Sequence, residues 1–137
     1  MRVTNYLLGY KDLKIIQDNE MFNFSLDSVL LPNFVTLNKN ITKILDIGCG
    51  NAPIPLILST KTDAKITGVE IQKEVYEMAV DSVKLNNKQE QINIINKDIN
   101  DYCKQYHHAN PNYMEEPIFD EELRQFVQKT LDILAYI

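Results

Sequence analysis

The sequence predicts an α/β fold built on a doubly wound parallel sheet, and three observations carry that prediction. First, the apolar run Lys43–Ile47 ends in Gly48-Cys49-Gly50-Asn51 and is followed at once by a second apolar run, Ile54–Leu58. Strand, glycine turn and helix in that order open a βαβ unit. Second, Lys65–Glu70 and Ile92–Ile95 repeat the apolar strand pattern, with the helical stripe of Lys73–Asn86 between them. Third, strand, helix, strand, helix, strand at this spacing requires right-handed crossovers, and such crossovers make the strands parallel.

Taken in order, the chain alternates apolar and polar residues around Leu13-Lys14-Ile15-Ile16, meets turn chemistry at Asp18-Asn19-Glu20, and resumes alternation over Met21–Phe24. That pattern predicts a small β-hairpin turning at Asp18–Glu20. Ser25 or Asp27 can cap a helix carrying Val29, Leu30, Leu31, Phe34, Val35 and Leu37, with Pro32 in its first turn or bending it. Asn38-Lys39-Asn40 is a loop. Pro53 and Pro55 fall where the helix after the glycine turn begins, among N–H groups that have no helical partner to lose. Val75, Met78, Ala79, Val83 and Leu85 form the apolar stripe of the next helix, which Asn86-Asn87 ends.

After Asp98 the pattern changes. Asn100–Pro117 is polar and rich in aromatics, with no apolar strand, and Phe119–Ile137 reads as one helix with Phe126, Val127, Leu131, Leu134 and Ala135 on one side. A doubly wound sheet continues with a fourth strand here. None is visible, so the sheet is expected to be incomplete after its third strand. Residues 1–38 are expected to form a hairpin and helix preceding a ligand-binding core over 39–137, within a single domain overall.

Composition narrows the class. The 137 residues are 45% hydrophobic and 24% charged with a net charge of −5, as expected of one soluble domain and not of a protein coated in positive charge. Cys49 and Cys103 offer no disulfide framework, nothing at the N-terminus resembles a signal peptide, and no apolar run approaches a membrane span. A cytoplasmic chain with no membrane partner is expected. Cys103, His107 and His108 lack the paired spacing of a metal site, so no metal is expected. Cys49 has no basic neighbour to activate it and is read as a small space-filling side chain.

The chemistry concentrates at the first glycine turn. Gly48 and Gly50 allow positive φ and let a ligand approach without meeting a Cβ atom. About twenty residues beyond Gly50, Glu70 ends the next strand, where an acidic side chain can bond ribose hydroxyls. A nucleotide-type ligand is the natural occupant. A dinucleotide would want a third glycine where Pro53 stands, which counts against an NAD-dependent oxidoreductase.

Asp46-x-Gly48-x-Gly50 at one strand end, with Glu70 at the end of the next, resembles motif I and motif II of the Rossmann-like S-adenosylmethionine-dependent methyltransferases. The resemblance implies S-adenosylmethionine as cofactor and a class I methyltransferase fold. It implies Asp46, Gly48 and Gly50 along the methionyl part, Glu70 on the ribose with Ile71 beside it, and Asp98 with Ile99 at the adenine. The segment Phe22–Leu31 looks like the stretch before motif I in bacterial enzymes that methylate N6 of an adenine in tRNA, similar to the tRNA1(Val) adenine-37 group. The resemblance covers roughly Tyr10–Ile99.

The catalytic signature of that family is Asn-Pro-Pro-Tyr. Its Asn side chain and first Pro carbonyl accept from the adenine amino group while the aromatic ring stacks on the base. Here the corresponding run is Asn110-Pro111-Asn112-Tyr113, with Asn112 at the third position and Gln105–Ala109 in place of an apolar strand. The resemblance assigns Asn110, Pro111 and Tyr113 to catalysis and tRNA as the substrate. Positioning for in-line attack supplies much of such a reaction's acceleration, so no strong base is needed. Two readings stay open: an adenine-N6 tRNA methyltransferase, and a truncated or non-catalytic S-adenosylmethionine-binding module. The oligomeric state is left undetermined.

Overall fold

The computed structural model describes residues 1–21 and 25–109. Residues 1–99 form one compact unit, and a second begins at Asn100, of which residues 100–109 are described.

The chain opens with an antiparallel hairpin, β1 (Arg2–Leu7) and β2 (Tyr10–Asp18), in which Val3 lies opposite Gln17 and Asn5 opposite Ile15. The expected hairpin is thereby corrected. Its turn is Leu8-Gly9, where Gly9 takes at φ +82° a left-handed conformation that costs glycine no steric strain. Asp18–Glu20 does turn, through the Met21 N–H to the Asp18 carbonyl at 3.1 Å and the Glu20 N–H to Asp18 Oδ1 at 3.0 Å. It ends the hairpin instead of folding it, because β2 already has β1 as its partner; Phe22–Phe24 lie outside the described residues.

On its other edge, among the described residues, β2 meets side chains and not a strand. Ser82 Oγ accepts the Ile16 N–H at 2.9 Å, and Asn86 accepts the Lys14 N–H at 2.9 Å while donating to the Lys14 carbonyl. These bonds satisfy backbone groups that would otherwise be left over on a strand pressed against a helix.

Helix α1 (Leu26–Phe34) starts after Ser25, whose extended backbone suits an N-cap although its side chain makes no capping bond, and contains Pro32. It stops before the expected Leu37, since Val35 is already extended. The core of the unit is β3 (Lys43–Ile47), α2 (Pro53–Leu58), β4 (Lys65–Glu70), α3 (Lys73–Leu85) and β5 (Ile92–Asn96). The three strands are parallel in the order β3-β4-β5, with Ile44, Ile66 and Ile92 in register. This is the predicted α/β order, strand by strand.

Each crossover steps the same way across the sheet, so α2 and α3 fall on one face. There Ile66, Ile92 and Ile94 pack with Leu56, Ile57, Ala79 and Val83. Leu45 and Ile47 alternate onto the opposite face and are 42% and 50% exposed. The described sheet is thus one winding of a doubly wound fold. After Asp98, where the sequence shows no apolar strand, α4 (Ile99–Ala109) is helical, and Asp101 in its first turn suits the helix dipole. Among the described residues no helix is long and apolar enough to cross a membrane. The proposed helix over Phe119–Ile137 lies outside the described residues.

Candidate functional site

The glycine turn sits at the carboxyl end of the parallel strands, where open α/β sheets leave a crevice. Positive φ recurs at alternate positions, Gly48 (+71°), Gly50 (+56°) and Ala52 (+72°), and folds the chain tightly between β3 and α2. The turn is fastened to the neighbouring strand: the N–H groups of Gly48 and Cys49 both donate to the Val69 carbonyl, at 2.8 and 3.2 Å. The buried Asn51 side chain fastens it to the hairpin, donating to the Ile16 carbonyl at 2.9 Å. A Cβ on Gly48 or Gly50 would meet no atom within 4 Å, so the space over both glycines is open.

Glu70 closes the arrangement. Its side chain is only 7% exposed, and the two oxygens accept from separate backbone groups: Oε2 from the Gly50 N–H at 3.0 Å, Oε1 from the Gln72 N–H at 2.9 Å. Each oxygen keeps a lone pair for a further donor. Asp46, on the same face of the sheet as Gly68, has its Oδ2 buried with no hydrogen-bond partner. Burial, and secondarily the charge of Glu70, push the Asp46 carboxyl up to about 7. Burial also raises the Cys49 thiol well above its ordinary range, with the charges of Asp46 and Glu70 adding to the effect. A thiol held protonated in this way is no nucleophile, in keeping with a space-filling role.

Of the residues expected at a ligand site, Asp46, Gly48, Gly50 and Glu70 are therefore brought together. Ile71, 63% exposed, follows Glu70 directly. Asp98 and Ile99 are half-buried just beyond the end of β5, whose Asn96 is in register with Glu70. Asn110, Pro111 and Tyr113 lie outside the described residues. Among the described residues no group of three or more His, Cys, Asp or Glu side chains could hold a metal ion.

Three contributors have no sequence signal of their own. Asn96 donates to the carbonyls of Glu70 and Ile71, at 2.9 and 3.0 Å, and so fixes the chain that carries the carboxylate. Gly68 makes room for Cys49: a Cβ there would lie 2.7 Å from Cys49 Sγ and 2.9 Å from Ile94 Cδ1. Ala52 holds a left-handed conformation that only its fully buried, bonded setting explains. The Gly68 role becomes predictable only once β3 and β4 are known to be neighbours.

Comparison with known proteins gives a consistent picture. A family model described as Methyltransferase small domain matches residues 15–131. The chain is 32% identical over 112 residues to a tRNA1(Val) (adenine(37)-N6)-methyltransferase of Flavobacterium psychrophilum, covering 81% of this chain and 43% of that one. It is 32% identical to the protein of the same name from Christiangramia forsetii, covering 88% and 45%. The chain thus spans less than half the length of these relatives. Among solved structures, P. horikoshii TYW2 in complex with MeSAdo superposes with a TM-score of 0.61 at 18% identity, over 73% of this chain and 37% of that one. M. capricolum TrmK in complex with S-adenosyl-homocysteine superposes at 0.51 and 21% identity, over 59% and 35%. At such identities these two establish the shared fold.

Proposed function

The chain belongs to the Methyltransferase small domain family, and from that premise we propose that it binds S-adenosylmethionine at the Gly48–Gly50 turn and serves methyl transfer to N6 of an adenine in tRNA. The observation that carries the cofactor half is the bond from the Gly50 N–H to Glu70, which sets a carboxylate directly against the open glycine turn.

The residues present fit this cofactor. The open space over Gly48 and Gly50 admits a ligand backbone that any side chain would obstruct. The spare lone pairs of Glu70 suit the vicinal hydroxyls of a ribose, and the carboxyl of Asp46, near the end of β3, suits the ammonium end of a methionyl group. Ile71, Asp98 and Ile99, grouped at the ends of β4 and β5, are proposed to flank the adenine. When bound, S-adenosylmethionine supplies a methyl group activated by a sulfonium. The chain's own part is to orient and exclude: Glu70 fixes the ribose, and the turn fixes the methionyl arm. By resemblance to the family signature, Asn110 and the Pro111 carbonyl would hold the target amino group, and Tyr113 would stack on the base. The tRNA substrate rests on the two named relatives and on that resemblance.

Calorimetric titration with S-adenosylhomocysteine tests the reading. The wild-type chain should bind, and Glu70→Gln, which keeps the size but removes the charge, should bind roughly ten- to a hundred-fold more weakly, the worth of a hydrogen bond to a charged group. Wild-type protein that takes up no S-adenosylhomocysteine at millimolar concentration would refute the cofactor assignment. Cofactor binding without transfer of labelled methyl to adenine in tRNA, including after Asn112→Pro, would instead favour a non-catalytic cofactor-binding module.

A further inference from the structure

The Asp46 carboxyl is the least explained polar group near the turn. Its Oδ2 is sealed from solvent and accepts nothing, although a buried oxygen of this kind is nearly always bonded. Among the described residues, the titratable groups coupled to it are Glu70, from the end of β4, and the Cys49 thiol, from the turn itself, and neither is a cation. Glu70 is already anchored by two backbone N–H groups, so of the two carboxylates it is Asp46 that has a buried oxygen with no donor.

We propose that Asp46 is a proton-releasing anchor: it is protonated while the turn is open and ionises as a ligand's ammonium group settles against it, so that cofactor uptake expels a proton to solvent. This rests on the reading of the turn as the S-adenosylmethionine site. The ammonium keeps its three protons, the Asp46 O–H bond breaks, and the proton passes to buffer. The driving force is the pairing of a cation with a carboxylate that burial, and secondarily the charge of Glu70, otherwise disfavour. Binding below neutrality then strengthens with pH and levels off above it. That is opposite to a site where Asp46 stays protonated and merely donates a hydrogen bond.

Calorimetry of the full chain with S-adenosylhomocysteine, run in PIPES and in imidazole at matched pH, counts the protons. With the carboxyl at about 7, roughly nine-tenths of a proton should leave per ligand at pH 6 and roughly one-tenth at pH 8, with affinity rising several-fold per pH unit in between. Asp46→Asn should bind more weakly, and the binding that remains should show neither the buffer difference nor the pH dependence. Binding with equal heats in the two buffers overturns the proposal and leaves the cofactor reading standing; no binding in either buffer overturns both. Undiminished proton release from Asp46→Asn also refutes it, since the proton would then come from elsewhere. Should that variant fail to fold, the wild-type buffer pair decides alone.

Discussion

At the scale of single residues, Asp46 couples the turn to pH even without a ligand. Its carboxyl stands near 7 in the folded chain against 3.8 as the ordinary value, so the folded state binds the proton more tightly than the unfolded one. The resulting stability is fully present below pH of about 4 and is lost as pH rises toward 7, the reverse of a salt-bridged carboxylate. Between pH 5 and 7.5 this group alone should lower unfolding free energy by about 2–3 kcal/mol. Urea denaturation of wild type and Asp46→Asn at the two pH values checks it, and the variant should lose that share of the slope. Equal slopes in the two proteins would mean that Asp46 reaches water after all. Asp18 works the other way: the N-terminal ammonium and the Glu20 N–H hold its carboxyl below the usual range, but the ammonium partner is exposed and solvent screens the pair.

At the scale of elements, the contact between β4 and the turn is set by a missing side chain. Gly68→Ala would drive a methyl into Cys49 Sγ and Ile94 Cδ1 at distances that real Cβ atoms essentially never show. Overpacking of this kind costs about 1–3 kcal/mol. Cys49→Ala removes the nearer atom but leaves Cys49 Cβ's position at 3.0 Å, so Gly68→Ala/Cys49→Ala should recover part of the loss, with a coupling of at least 0.5 kcal/mol by thermal or urea denaturation. Simple additivity would show that the strand moves aside instead. The same contact shows what was legible in the sequence. β3, β4, β5 and α3 follow from local apolar periodicity, and each was readable because its pattern is written in consecutive residues. Asp46, Gly48, Gly50 and Glu70 were readable as a group because strand ends in a parallel sheet converge. The roles of Gly68, Asn96, Asn51 and Ser82 were not, since each serves a partner from 19 to 66 positions away that only the folded register identifies. The hairpin turn was misread for a related reason: Asp18–Glu20 has stronger turn chemistry than Leu8-Gly9, but pairing with β1 decided the outcome.

At the scale of the whole molecule, the two faces of the sheet are unequal. One carries α2, α3 and a continuous core, while the other presents Leu45 and Ile47 half to solvent on β3, a strand to which only β4 is paired among the described residues. An unpaired strand edge flanked by exposed apolar residues is a template for association with another strand. Leu45→Lys tests whether that face is free. On an exposed face the change should shift stability by no more than about 0.5 kcal/mol, whereas an unpaired ammonium forced beneath a covering layer would cost several. Light scattering should fall at the same time, because a lysine on an edge strand opposes strand-to-strand docking. Unchanged melting with reduced association is therefore the expected result. Marked destabilisation by Leu45→Lys would instead mean that this face is covered in solution, either by another part of the chain or by a second copy, and comparing melts at two protein concentrations separates those two, since only the second copy makes the midpoint rise with concentration.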